Sequence, residues 1–127
     1  MNSGSVWFRI GAVLGALAVA AGAFGAHGLR ARLDARSMEV FHTAAQYHMV
    51  HALAIVAVAS LMIATKTHGT AQCVAAGSFL VGILIFSGSL YALAITGQRW
   101  LGAITPIGGV AFIVGWIVLA AARFARE

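Results

Sequence analysis

The sequence predicts an all-α fold: a polytopic membrane protein built as an antiparallel four-helix transmembrane bundle. The 127-residue chain is 61% hydrophobic and 9% charged, with a mean hydropathy of +0.95, whereas soluble domains carry roughly 25% charged residues. Its apolar stretches are each about 20 residues long, enough to cross the hydrocarbon core of a bilayer. They are continuous and do not alternate with polar residues, which excludes an open sheet or a barrel within the membrane.

Four membrane helices are predicted within a single membrane domain, residues 1–127. They cover residues 6–26, 44–64, 71–96 and 101–122, and two tight polar connections make consecutive helices antiparallel neighbours. The first apolar run is about 17 residues, longer than the core of a signal peptide, so we expect a retained helix. Residues 29–43, capped by Asp34 or Ser37, form either an interfacial helix or a continuous extension of the second membrane helix.

The net charge of +5 does not indicate a nucleic-acid partner, because the basic residues are scattered at helix ends and are not gathered on one face. We expect them to anchor the chain to anionic headgroups of the lipid bilayer. The two membrane faces carry four basic residues each, so the charges do not predict an orientation. One face has Arg9, Lys66, Arg123 and Arg126, and the other has Arg30, Arg32, Arg36 and Arg99. The single cysteine, Cys73, excludes an intramolecular disulfide and a cysteine metal cluster.

Small residues recur at helical spacing and predict close helix packing, since helices associate in lipid through surfaces that let their backbones approach. The candidates are Gly11, Gly15, Gly22, Gly82, Gly88 and Gly115. Their number also indicates that the chain forms a homo-oligomer or belongs to a larger membrane complex. In the fourth helix, Pro106 with Gly108 and Gly109 predicts a kink or a close neighbour. An equally good interpretation is a helix that begins at Pro106.

Antiparallel helices bring the polar residues to one membrane face, which we call the polar pole. Its candidate ligand-binding residues are His27, Tyr47, His48, His51, Tyr91, Gln98 and Trp100. At 100° per residue, Thr43, Tyr47 and His51 form one stripe that we expect to face the bundle. On the same helix, His48 falls at the margin of this stripe and His42 points elsewhere.

Four interpretations of the polar pole compete. Its side chains could hydrogen-bond between helices, or hold a lipid, a quinone-like molecule or another amphipathic ligand. A metal or haem site is indicated only weakly, by His27, His48 and His51, because no carboxylate or cysteine joins them. Proton handling by histidines needs a continuous path that the third and fourth helices do not offer. No cofactor and no catalytic residue is predicted, and an enzyme is disfavoured because no nucleophile–base pair or paired carboxylates occur.

Four sequence blocks carry a resemblance to a known family. They are "GAFGAHGL", the pattern F-x-T-A-x-x-Y-H-M-x-H-A-L-A, "FSGSLYALAITG" and "LGAITPIGGVAFIVGW". In this order they resemble domain-of-unknown-function family 423, which includes transmembrane protein 256. The resemblance implies a small multi-pass protein of the bacterial cytoplasmic membrane, or of mitochondria in eukaryotic relatives, and no established activity. The family pattern falls on Gly25, His27, Gly28, Phe41, Thr43, Tyr47, His48, His51, Ser87, Gly88, Ser89, Tyr91, Thr105, Pro106, Gly108, Gly109 and Trp116.

The sequence therefore favours a non-enzymatic accessory or structural component of a membrane complex. The alternative is a protein that binds a lipid, quinone-like or haem or metal ligand at the polar pole.

Overall fold

The computed structural model describes residues 1–124 and contains four helices long and apolar enough to cross a membrane. We label them α1 (Ser3–Leu29), α2 (Ala35–Thr65), α3 (Thr70–Thr96) and α4 (Leu101–Ala121). Within residues 1–124 there is no β-strand. The predicted all-α fold with four transmembrane helices is therefore confirmed. Arg126, counted among the basic residues above, lies outside the described residues.

The polar connection before α2 is mostly helical. Asp34 caps α2, and its Oδ1 accepts the backbone N–H of Ser37 at 2.7 Å. This bond lowers the pKa of the Asp34 carboxyl from its usual value of 3.8, and Arg36 lowers it further. Residues 35–43 are thus a continuous extension of α2, which is one of the two predicted arrangements. With 31 residues, α2 is about 46 Å long and extends beyond a hydrocarbon core of about 30 Å into the headgroup region.

α2 is the central helix of the bundle. It packs against α1 along one side and against α3 along another, while α4 packs mainly against α3. The core contains Ile55 and Met62 of α2, Phe79 of α3 and Phe112 of α4, all nearly inaccessible to solvent. In the most apolar stretch of α2, 44% of residues are buried inside the chain, against 11% in α1. α1 is therefore a peripheral helix that packs against α2 with one face.

Two helices contain a π-helical segment, Ala20–Gly25 in α1 and Ile83–Ser87 in α3. A π turn inserts an extra residue into the helix and changes the direction of the side chains that follow, and such turns are frequent at functional sites. The segment in α3 lies where this helix contacts α2 and α4. It sets the positions of Phe86 and Ser87, whose contacts form part of the site described below.

Three of the predicted packing glycines lie at helix contacts. A Cβ atom at Gly11 would lie 2.8 Å from Val56 of α2, and one at Gly115 would lie 2.7 Å from the Phe79 ring of α3. A Cβ atom at Gly82 would collide with the Phe112 ring. These positions accept no larger side chain unless the neighbouring side chain or helix moves.

The other three predicted packing glycines have no such contact within the described chain. The Cβ positions of Gly15 and Gly22 have no neighbouring atom within 4 Å among the described residues. That of Gly88 approaches only the Ile83 carbonyl of its own helix, at 4.0 Å. Spacing alone placed all six on packing faces, but each helix of a small bundle has only one or two neighbours.

Pro106 lies inside α4, which begins five residues earlier at Leu101. The interpretation that this helix begins at Pro106 is therefore wrong. Gly108 contacts the backbone of Phe86 in the π segment of α3, with its Cβ position 2.8 Å from the Phe86 Cα atom. At Gly109 the nearest atoms belong to the Phe86 ring, at 3.8 Å. Gly108 thus marks a point where α4 lies directly against the α3 backbone.

Candidate functional site

His51 is held by two hydrogen bonds that determine its tautomer. Its Nε2 atom lies 3.1 Å from Nε1 of Trp116 in α4, and its Nδ1 atom lies 2.8 Å from the Tyr47 carbonyl. An indole N–H can only donate, so Nε2 is the acceptor and Nδ1 carries the proton that it donates to the carbonyl. Both ring nitrogens of His51 are therefore in use, and the ring is neutral in this arrangement.

His48 is bonded on one side only. Its Nδ1 atom lies 2.9 Å from the Tyr91 hydroxyl of α3, and the ring also lies beside the Leu14 backbone of α1. The side chain is 6% exposed, and within residues 1–124 its Nε2 atom has no hydrogen bond of standard geometry, because the nearby Leu14 backbone is not aligned for one. His48 thus sits between α1 and α3 and connects α2 to the latter.

Aromatic rings surround the two histidines. The His51 ring stacks on Phe112 with centroids 3.6 Å apart, and it also contacts Phe79 at 5.5 Å. Tyr91 packs against Phe41 at 5.1 Å. The stacked Phe112 ring occupies one face of the His51 ring, so a ligand has no space to bind on that face.

Three hydroxyl groups form two further links between helices. Ser87 Oγ, fully buried in the π segment of α3, donates to the Ala44 carbonyl of α2 at 2.9 Å. Ser89 and Thr105 join α3 to α4 through their hydroxyls at 2.6 Å. In lipid such bonds are worth about 0.6 kcal/mol on average. With the histidine bonds, they connect α2, α3 and α4 pairwise through polar contacts.

The structure brings some of the predicted ligand-binding residues together and leaves others apart. His48, His51 and Tyr91 converge in the bundle, with Tyr47 at its edge through ring contacts to Phe86 and Phe112. The remaining three, His27, Gln98 and Trp100, are exposed at the surface. None of these three forms a side-chain hydrogen bond with the converging residues in the part of the chain described. Of the three weak metal candidates, only His48 and His51 are therefore near one another.

The inward face of α2 differs from the predicted stripe. Tyr47 is 42% exposed, while His48 and His51 are 6% and 4% exposed, so the buried face is centred between the two histidines. The expectation that His48 lies at the margin was wrong, because α2 is covered by α1 on the side where His48 points. His42 is exposed, as expected.

The residues present offer little for a metal. Among the described residues there is no group of three or more His, Cys, Asp or Glu side chains placed to hold an ion. His51 could coordinate one only by giving up its bond to Trp116 or to the Tyr47 carbonyl. His48 Nε2 is the one histidine nitrogen of this cluster that the described residues leave without a hydrogen bond of standard geometry.

The sequence did not indicate Trp116, Phe79 or Phe112 as partners of His51. Trp116 stands in the family pattern, but the spacing of residues gave no reason to place it beside His51. A further feature was also missed: an open groove of about 520 Å³ at the polar pole, lined by residues of α2 and of the end of α3. The sequence places its two arginines, Arg36 and Arg99, on this membrane face as headgroup anchors but does not indicate that they line one groove.

Comparison with known proteins identifies the family. A family model described as "Protein of unknown function (DUF423)" matches residues 21–109. The UPF0382 membrane protein YwdK of Bacillus subtilis is 48% identical over 118 residues, covering 92% of this chain and 94% of that protein. UPF0382 membrane proteins of Staphylococcus epidermidis and Haemophilus influenzae are each 44% identical, over 114 and 113 residues, covering 90% and 89% of this chain and 91% and 89% of those proteins.

No solved structure matches the chain. The family model covers more than half of the sequence, and the relatives match nearly its full length. The two comparisons lead to the same assignment. The resemblance inferred from the four sequence blocks is thereby confirmed. The chain is a membrane protein and belongs to the DUF423 family, whose relatives named above are UPF0382 membrane proteins.

Proposed function

We propose that this protein is a non-enzymatic structural component of a larger complex in the bacterial cytoplasmic membrane, and that it contacts its partner through α1. The observation that carries the proposal is how the buried polar side chains His48, His51 and Ser87 are used: they join the helices of the bundle to one another. The α-helical architecture supports the location, because helical bundles are one of the two forms that can span a bilayer and this chain has no barrel pattern.

The polar side chains of the core act as links between helices. His51 uses both ring nitrogens, for Trp116 of α4 and for the backbone of its own helix. The Tyr91 hydroxyl is bonded to His48, and the Ser87 hydroxyl to a main-chain carbonyl. A general base or nucleophile needs a reactive atom within hydrogen-bond reach of a substrate. Side chains already bonded and packed between helices favour a structural role.

α1 is the helix best suited to contact another protein. It covers α2 with one face only, so most of its apolar surface faces away from the bundle. Beside the stripe that packs on α2, Gly15 and Gly22 are partly buried but have no neighbour at their Cβ positions in the described chain. Each glycine in a helix costs about 1 kcal/mol relative to alanine. A second helix lying close against these glycines would offset that cost by close backbone packing.

Site-specific photo-crosslinking in intact membranes tests the proposal. A photoreactive amino acid is placed at Val19, which lies about 40° around the helix from Gly15 on the same side. The matched control is the same amino acid at Val13, which lies on the opposite face of α1. The two valines are similarly exposed, at 53% and 60%. We expect a discrete product containing this chain and a different protein from the Val19 variant, and lipid adducts from the Val13 variant.

Two results would contradict the proposal. If both variants gave only the free chain, α1 would have no protein partner in the membrane. If the Val19 variant gave a product of two copies of this chain and no other protein, the contact would be self-association. That result would replace the accessory role with a homo-oligomer.

A further inference from the structure

The groove at the polar pole has two unlike ends. It has a volume of about 520 Å³ and is lined by Arg36, Ser37, Val40, Leu93, Ala94, Gly97 and Arg99. The charged residues, Arg36 of α2 and Arg99 of the connection after α3, lie nearer the ends of the helices. Val40 and Leu93 lie one turn closer to the middle of the bundle along their respective helices. The groove therefore changes from basic to apolar in the direction of the bilayer.

The helix lengths place the basic end at the level of the lipid headgroups. Ser87 of α3 and Ala44 of α2 are at the same height, because they share a hydrogen bond of 2.9 Å. From this level, Arg36 is about 12 Å along α2 and Gly97 about 15 Å along α3, counted at 1.5 Å per residue. Arg36 and the end of α3 are thus at similar heights. α3 leaves its helical conformation at Gly97 (φ 70°), where an apolar membrane segment ends.

The charges around the groove favour an anion. Both charged residues in the groove lining, Arg36 and Arg99, are basic. The acidic residues near Arg36 in the chain, Asp34 and Glu39, are not part of the lining, although Arg36 is close enough to Asp34 to lower the pKa of its carboxyl. The positive end of the α2 dipole also lies at this position, since Ser37 belongs to its first turn. The negative end of α3 at Gly97 is offset by the adjacent Arg99. Two guanidinium groups on either side of one groove are suited to phosphate, which they can bind through two parallel N–H···O bonds each.

We propose that Arg36 and Arg99 bind the phosphate group of an anionic phospholipid, whose acyl chains lie along Val40 and Leu93 towards the bilayer. The groove places basic side chains between transmembrane helices, with apolar residues one turn deeper, and basic pockets between transmembrane helices bind anionic lipid headgroups. This site is separate from the histidine cluster and does not depend on the proposed role of α1. It assigns to two arginines a specific ligand in place of general attraction to the membrane surface.

Native mass spectrometry of the full chain in detergent tests the assignment. Phosphatidylglycerol, phosphatidylcholine and inorganic phosphate are the probes, and the fraction of chain carrying bound lipid is measured against lipid concentration. The variant R36Q/R99Q is compared with the wild type. We expect its affinity for phosphatidylglycerol to fall at least about tenfold, because each lost arginine removes charge-assisted hydrogen bonds to the phosphate. Phosphatidylcholine should bind the wild type more weakly than phosphatidylglycerol does.

The matched control is R30Q/R32Q, which removes two exposed arginines from the same membrane face but outside the groove. We expect it to bind phosphatidylglycerol like the wild type. All four substituted side chains are exposed, so circular dichroism should show unchanged helix content. Equal losses in the two double variants, or none in R36Q/R99Q, would overturn the proposal.

Inorganic phosphate distinguishes the source of the ligand. If millimolar phosphate leaves phosphatidylglycerol bound, the site takes its phosphate from a lipid. If it displaces the lipid from the wild type, the site is one for soluble phosphate and the assignment to a phospholipid is overturned. A binding curve for phosphatidylcholine that equals the one for phosphatidylglycerol would contradict selection of an anionic headgroup.

Discussion

Replacing Gly108 with alanine should destabilise the bundle, because this glycine allows α4 to touch the backbone of α3. A Cβ atom at this position would collide with the backbone nitrogen of Phe86 and lie 2.8 Å from its Cα atom. Backbone atoms cannot rotate away as a flexible side chain can, so α4 would have to move off the π segment of α3. The neighbouring Gly109 provides a matched control, since its Cβ position is 3.8 Å from the Phe86 ring, an ordinary contact distance.

The magnitude follows from two opposing effects. Alanine is favoured over glycine in a helix by up to about 1 kcal/mol, and this gain is shared by G108A and G109A. Overpacking a closely packed contact costs typically about 1–3 kcal/mol, and only G108A incurs it. The free energy of unfolding of G108A should therefore be lower than that of G109A by about 1–3 kcal/mol.

Reversible unfolding by dodecyl sulfate in mixed micelles, followed by circular dichroism, measures this difference. G109A should match or slightly exceed the wild type, and G108A should unfold at a lower fraction of dodecyl sulfate. If G108A is as stable as G109A, α4 does not approach the Phe86 backbone in the membrane and the packing argument is refuted.

Two further predictions concern hydroxyl and carboxyl groups. Y91F should lower the free energy of unfolding by about 0.6 kcal/mol, the average for hydrogen bonds between membrane helices, and by no more than the maximum of about 1.7 kcal/mol, because His48 loses its partner. In the same dodecyl sulfate assay, Y47F should be as stable as the wild type, since the Tyr47 hydroxyl makes no hydrogen bond within residues 1–124. An equal loss of stability in Y91F and Y47F would contradict the hydrogen bond between His48 and Tyr91. The Asp34 carboxylate caps α2, and the capping hydrogen bond lowers its pKa in the folded chain. The contribution of the cap to stability is therefore complete above the unfolded pKa of 3.8. It is lost as the pH falls through the lower pKa of the folded chain. The Ser37 amide resonance should therefore shift on acidification below about pH 4 in the wild type but not in D34N, whose amide also caps but does not titrate.

The four membrane helices could be predicted because their signal lies in composition and length. Any segment of about 20 apolar residues must satisfy its own backbone in lipid, which leaves the helix as the local solution. The same local reasoning indicated Asp34 as a cap for a helical approach to α2. It could not decide whether that helix lies in the interface or continues α2, because the two arrangements bury the same apolar residues against different surroundings.

The candidate site was predictable only in outline. Chain direction alone brings the start of α2 and the end of α3 to one membrane face, so His48, His51 and Tyr91 could be expected near each other. Which face of α2 points inward depends on how many helices cover it. With α1 on one side and α3 on the other, the buried face includes both histidines and leaves Tyr47 at its edge. The π segment Ile83–Ser87 also changes the direction of the α3 side chains, and no local pattern indicated it.

Hydrophobic length and chain direction are local properties, so the sequence predicts a four-helix membrane protein with most of its polar residues at one end. What those polar residues do depends on tertiary contacts. Whether His51 is free or bonded depends on Trp116, which is 65 positions away along the chain, and whether Gly15 or Gly11 meets a neighbour depends on helix rotation. Close packing of helices is decided by distances of a few tenths of an ångström between distant residues, and the order of residues along the chain does not contain those distances.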